Sequence, residues 1–289
     1  MPLSTPWSEA MGLRIPILNA PMGGAAGGRL AAAVTHAGGL GMIGMGSAAT
    51  AVALAAELQE LGDPAGPFGI GLVHWVMTAD PELFEVALAA RPALLCVSFG
   101  AEWSWVQRVH DAGAAAATQV ADVDAARRAV AAGVDVVVAR GAEGGGHGEP
   151  RIGTLPLLTG VLDAVAVPVL AAGGIASARG LAAVLAAGAS GAWLGTVFTV
   201  CPEALTTPSA RARLLAAGLD ATVTTREFDI AQHYPWPATI PERVLIGDDH
   251  RPTPVNAGQG VGMVTAVSSA AAVMAELAGG AEELLRRWN

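Results

Sequence analysis

Along this chain, short apolar runs alternate with longer stretches in which apolar residues recur every three or four positions. The runs at residues 15–19, 40–44, 68–73, 93–99, 115–120, 135–139, 167–172 and 191–198 predict eight strands. Their near-continuous hydrophobic character is that of parallel strands buried on both faces. Residues 28–37, 50–61, 81–89, 103–112, 122–132, 155–164 and 177–187 carry the helical spacing. Asp80-Pro81, Asp122 and Ser177 stand where helices need a cap, and Gly113, Gly133 and Gly188 where a helix ends on a left-handed residue. Seven helices thus interleave with eight strands by residue 198; the eighth is either delayed or supplied by residues 265–287.

This rhythm predicts an α/β fold, a (β/α)8 TIM barrel. The rival is an open doubly wound sheet. Its GxGxxG fingerprint is missing from the first strand-to-helix turn, which reads Ala20-Pro21-Met22-Gly23-Gly24. Residues 201–262 break the rhythm with Pro, Thr, Asp and aromatics, and Tyr234-Pro235-Trp236-Pro237 cannot continue a helix. The expected division is therefore a barrel over 1–200 and 263–289, with an insertion or lid over 201–262 after the eighth strand. That is the end of the barrel where active sites sit. Surface padding is the alternative reading of the same segment.

Composition removes several chemistries. All 16 basic residues are arginine. Without lysine there is no Schiff base and no P-loop. The net charge of −9 offers no basic stripe to nucleic acid and no basic amphipathic segment to a membrane surface. The uncharged stretch 180–202 is interrupted by Gly188, Ser190, Gly191 and Gly195, so it reads as helix, turn and strand. Residues 1–15 carry Glu9 and no apolar core, so no signal peptide is expected. Cys96 and Cys201 form no CxxC pair and are expected to pack as small hydrophobes in a reducing cytoplasm. No metal site is expected: Asp248-Asp249-His250 reads as a solvated loop. A GxSxG elbow for serine chemistry is also missing.

Three glycine-rich sites fall at the C-terminal ends of predicted strands. The first is Ala20–Gly24, after the first strand. The third pairs Gly173-Gly174, after the seventh, with Gly195-Thr196 in the eighth. Loops after strands seven and eight are the usual phosphate site of such barrels, and the dipole of the helix starting at Ser177 adds to it. Tight turns alone are the plainer reading. The second site, Gly141-Ala142-Glu143-Gly144-Gly145-Gly146-His147-Gly148, carries the candidate for chemistry. His147 suits proton abstraction or anion stabilisation at the mouth, and the glycines beside it leave room for a flat cofactor. A surface histidine on a loose loop is the bland reading. Glu143 is expected to orient the loop or the imidazole, or else to be solvated. Arg140 faces the mouth or the helix layer; at the mouth it would stabilise negative charge on a bound ring or substrate. His74 and His233 are weaker pocket candidates, and His36, His110 and His250 are read as surface residues.

At these residues the chain resembles a known family. Residues 16–23, 36–41, 141–147 and 169–175, then Gly195-Thr196, Phe228-Asp229, Pro235-Trp236-Pro237 and 257–262, recur in that order in the nitronate monooxygenases, formerly called 2-nitropropane dioxygenases. The resemblance covers nearly the whole chain. It implies a flavoenzyme that holds FMN without a covalent bond. The ring would lie near Ala20, Pro21, Met22 and Gly23, with Arg140, Gly145, Gly146 and Gln259 also around the cofactor. The phosphate would sit on Gly173, Gly174, Gly195 and Thr196, and His147 would be the catalytic base or anion-binding group. It further implies a small nitronate as substrate and O2 as oxidant, giving a carbonyl compound and nitrite. Self-association as a homodimer stays open. The chain departs from the family's common pattern at Gly71 (often Asn), Arg140 (often Gln), Gly144-Gly145 (often Ala-Gly), Gly148 (often Arg) and Asn256 (often Trp). These changes cluster at the mouth and bear on the substrate rather than on FMN.

The leading expectation is oxidation of alkyl nitronates. The alternative on the same scaffold is an NAD(P)H-dependent reductase of the enoyl-ACP or quinone type. An acidic protein offers little docking surface to an acidic carrier, which weighs against the enoyl form. From other classes come a flavin-free lyase or isomerase for a sugar phosphate, which would purify colourless, and a non-catalytic binding module.

Overall fold

All eight apolar runs form strands in a computed structural model, which describes residues 3–287. In chain order the strands are β1 (Ile17–Asn19), β2 (Gly41–Gly44), β3 (Phe68–Val73), β4 (Leu94–Ser98), β5 (Ala115–Val120), β6 (Val136–Arg140), β7 (Gly146–His147), β8 (Val169–Ala172), β9 (Gly191–Leu194), β10 (Thr222–Thr225), β11 (Glu242–Ile246) and β12 (Pro252–Asn256). Eight of them form one parallel sheet in the order β1-β9-β8-β6-β5-β4-β3-β2. A bridge from Leu18 to Leu40 brings the two edges together, so the sheet closes as a (β/α)8 barrel.

Alternation along each strand divides the core in two. Leu18, Met42, Leu94, Val138, Leu170 and Trp193 point inward and fill the barrel. Ile17, Ile43, Ile70, Val137, Ala171 and Leu194 point outward, beneath the helices. The lower end is closed by a short helix, Pro6–Ala10, not foreseen from the sequence. Its Trp7 joins the interior cluster, and the hydroxyl of Thr5 donates to the Ser190 carbonyl at 2.6 Å.

The helical stretches form where the spacing placed them, and most of their ends follow the expected chemistry. Asp122 accepts from Ala125 N–H at 2.7 Å and Ser177 from Gly180 N–H at 3.2 Å. Gly113, Gly133 and Gly188 have φ of 80°, 93° and 104°. Asp80 is a correction. Its carboxylate does not cap the helix Pro81–Ala89 but accepts from Ala51 N–H at 3.2 Å, at the head of the helix Ala51–Leu61. The eighth strand is another: it stops at Leu194, and Thr196–Thr199 turns into a short helix. The eighth barrel helix is Ala270–Arg286, which packs against Ala178–Ala186 and Gly28–His36.

The segment 201–262 holds more structure than its composition announces. β10, β11 and β12 make an antiparallel sheet, and β7, from the histidine-bearing loop, adds to β11. Register pairs His147 with Glu242 and Gly146 with Arg243. Trp236 is buried and its indole N–H donates to the Ser47 hydroxyl at 2.9 Å, which ties the segment to the loop after β2. Among the described residues no helix is long and apolar enough to cross a membrane.

Candidate active site

The C-terminal end of the barrel opens into a cavity of about 810 Å³. That lies within the usual span of small-molecule and cofactor sites, about 300–1,000 Å³. One wall is the turn Ala20–Gly23. It lies flat on the barrel because its neighbours lack side chains. A Cβ on Gly44 would stand 2.3 Å from Pro21 backbone, and one on Gly71 would stand 2.3 Å from the Pro21 ring. The asparagine frequent at position 71 in the family pattern has no room beside this Pro21. Gly173, Gly174, Gly195 and Thr196 line the cavity at the end nearest the helix Ala178–Ala186. Gly173 and Gly174 have φ of 116° and 66°, conformations that keep side chains away and leave backbone to face an anion.

The glycine loop after β6 is held from below by Arg140. This side chain is buried, and its Nη2 donates to the carbonyls of Gly144, Gly145 and Gly146 at 2.8, 3.1 and 3.1 Å. A Cβ on Gly148 would stand 2.3 Å from the guanidinium, and one on Gly144 2.8 Å from its Nε. Glycine at these positions therefore makes the space the arginine fills. Burial and the nearby Arg243 lower its pKa to about 10, so it remains a cation at neutral pH. Glu143 orients the loop rather than the imidazole, accepting from Thr154 N–H at 2.9 Å. The Thr154 hydroxyl lies 2.7 Å from that carboxylate and 2.9 Å from the Gly173 carbonyl, joining the second glycine site to the third.

His147 stands on the cavity wall between two partners from the 201–262 segment. Its Nε2 lies 3.0 and 2.9 Å from the two oxygens of Asp229, which is buried. Its ring stacks on Trp236 with centroids 3.7 Å apart and planes 8° from parallel. Trp75 and Phe99 meet the same indole edge-on, at 5.8 and 5.0 Å. An ionised carboxylate can only accept, so Nε2 carries the proton and Nδ1 keeps its lone pair. Burial lowers the pKa of His147, against the opposing bond and charge of Asp229, so the imidazole is neutral at neutral pH. Beside them lies Glu242, 6% exposed, with Oε1 buried and without a hydrogen-bond partner. Donor atoms of His147, Asp229 and Glu242 lie within 4.8 Å of one another.

The structure thus gathers Ala20, Pro21, Met22, Gly23, Arg140, Gly145, Gly146, His147, Gly173, Gly174, Gly195 and Thr196 around one cavity. Gln259 departs from the expectation. Its side chain is exposed, and only its backbone contributes, donating to the Glu143 carbonyl at 2.9 Å; the neighbours Gly258 and Gly260 line the cavity instead. His74 and His233 are not on the wall, and His110 pairs with Asp135 at 2.8 Å. Glu242 gave no signal as a site residue, and Asp229 stood only in the Phe228-Asp229 segment of the resemblance, with no role attached. Asp229 is 82 positions from His147, and only the β7–β11 pairing brings the segments together.

Comparison with known proteins places the chain in a family. The family model described as nitronate monooxygenase matches residues 75–235, more than half of the chain. The chain belongs to the nitronate monooxygenase family. Within it, the chain is 33% identical over 245 residues to a nitronate monooxygenase of Pseudomonas aeruginosa, covering 68% of this chain and 69% of that one. It is 36% identical over 238 residues to a Mycobacterium tuberculosis protein named (3aS,4S,5R,7aS)-5-hydroxy-7a-methyl-1-oxo-octahydro-1H-indene-4-carboxyl-CoA dehydrogenase. That match covers 81% of this chain and 66% of the relative, so the chain spans slightly less than two thirds of that relative's length. Among solved structures, FabK from Thermotoga maritima superposes with a TM-score of 0.88 at 26% identity, over 99% of this chain and 98% of that one.

Proposed function

We propose that this protein is an FMN-dependent oxidoreductase that oxidises alkyl nitronates with O2 to a carbonyl compound and nitrite, with His147 as its catalytic base or anion-binding group. The observation that carries the reading is the His147–Asp229 pair on the wall of a glycine-built cavity. Family membership supports the same chemistry. The residues present suit FMN: a flat floor at Ala20–Gly23, a lysine-free phosphate end at Gly173-Gly174 and Gly195-Thr196 beside a helix N-terminus, and sufficient volume. Bound FMN would supply a two-electron acceptor that O2 restores. Asp229 fixes the tautomer, and Trp236 fixes the ring plane, so that Nδ1 is left to take a proton or to bind the substrate. Residues 201–262 serve in this reading as a cap that carries Asp229 and Trp236 over the mouth. The two buried thiols, both pushed up to about 12 chiefly by burial, suit a reducing cytoplasm.

A second reading, an NAD(P)H-dependent reductase or a dehydrogenase of thioesters, draws support from the likeness to FabK and to the CoA dehydrogenase. Replacing His147 tests the role common to both. His147→Ala is expected to lower kcat/KM by about 10²–10⁴-fold, the range of a positioned base, while FMN still binds. Unchanged stopped-flow reduction of the flavin in that variant would remove His147 from the chemistry.

A further inference from the structure

Glu242 is the buried group that the mechanism above leaves without work. It stands on β11 directly across from His147, lines the cavity, and is 6% exposed. Its Oε1 has no hydrogen-bond partner. The charged and titratable groups around it give it no counter-ion. Asp229, from the helix Glu227–Ala231, is a second carboxylate, and His147, from β7, is already bonded to Asp229. Arg243, next on its own strand, turns away to the Ala142 carbonyl and the Thr222 hydroxyl at 3.2 Å each. Arg140 is engaged beneath the glycine loop. In such a place, facing another carboxylate, the acid form of a carboxyl group is favoured. An acid carries what neither Asp229 nor a neutral imidazole lone pair can offer: a proton to donate.

We propose that Glu242 is a substrate-binding residue, kept as a carboxylic acid in the cavity wall to donate a hydrogen bond to the anionic oxygen of the nitronate. The inference rests on the nitronate reading above. It answers a difficulty of that reading. A nitronate is an anion, and the wall it would approach beside His147 already carries the charge of Asp229. An ionised Glu242 would add a second negative charge; a protonated one replaces repulsion with a short, charge-assisted bond. Burial and the charge of Asp229 raise Glu242 to about 7, so the donor would be lost as pH rises through neutrality. The group is a feature of this chain's cap and lies outside every segment that carries the family resemblance.

Two measurements test it. In the wild-type holoenzyme, the infrared C=O band of a protonated carboxyl is expected at pH 6, fading as pH passes 7, and missing from Glu242→Gln. Without such a band the proposal fails, and this readout needs no substrate. The second is the pH profile of kcat/KM for propionate 3-nitronate. The wild type is expected to lose about tenfold per pH unit above neutrality, mainly through KM. E242Q, whose amide donates but never ionises, is expected to start lower, by up to about tenfold, and to stay flat to pH 8.5. Parallel decline in both proteins overturns the donor role. A wild-type flavin that no nitronate reduces at any pH overturns the reading beneath it, and the infrared band tells that failure apart.

Discussion

The tautomer of one imidazole decides what the site does at the residue scale. With Nε2–H on Asp229, His147 offers its Nδ1 lone pair, and burial keeps the ring neutral. Activity that needs this base should rise with pH through a value below the ordinary 6.5, before the fall above neutrality that loss of the Glu242 proton brings. Asp229→Asn removes both the bond and the charge that oppose burial. The acid limb of kcat/KM is therefore expected to move to lower pH. The rate should fall by roughly 10²–10⁴-fold, because an amide can present a donor to Nε2 and so favour the wrong tautomer. An acid limb that moves upward in D229N would contradict this assignment. His147 itself was legible in the sequence from its glycine-rich setting at a strand end. Its pairing with Asp229 was not, nor was Glu242, since nothing in a loop's composition tells which distant carboxylate a hairpin will deliver to it.

Among the elements, the parallel strands and their helices were legible because burial on both faces and helical spacing leave strong periodic signals. The eighth strand was drawn too long because Val197-Phe198 is apolar in either conformation; the backbone turns at Gly195, with φ −104° and ψ −80°. The cap sheet gave no such signal. Thr222–Thr225 is half-exposed throughout, and β12 carries Pro252 and Pro254, tolerated because it pairs only with β11 and lies at an edge. The turn after β8 makes a prediction of its own. A Cβ on Gly173 would stand 2.6 Å from the Thr154 hydroxyl at φ 116°. Gly173→Ala is expected to cost about 2–3 kcal/mol in thermal unfolding and to weaken FMN binding at least about tenfold. FMN affinity unchanged by this substitution would move the phosphate end elsewhere.

At the scale of the whole molecule, the closed barrel supplies a rigid floor, and in the proposed function the 201–262 segment supplies the groups that act above it. Leu18, Met42, Leu170 and Trp193 fill the interior, and the cavity at the mouth is lined by loops together with strand-end residues such as Gly71, Ser98, Gln119 and Trp193 itself. The loop after β6 belongs to both parts, rooted by Arg140 in the barrel and paired through β7 to the cap. Barrel and cap therefore meet at His147. The chain has no lysine, so the proposed phosphate end relies on backbone and a helix N-terminus.

The most direct test is an anaerobic titration of the purified protein, followed by its visible spectrum. A flavin spectrum is expected, bleached by propionate 3-nitronate and left unchanged by NADH and NADPH. Bleaching by a nicotinamide alone would contradict the nitronate reading and select the reductase, and failure of saturating FMN to bind would contradict the account at its root.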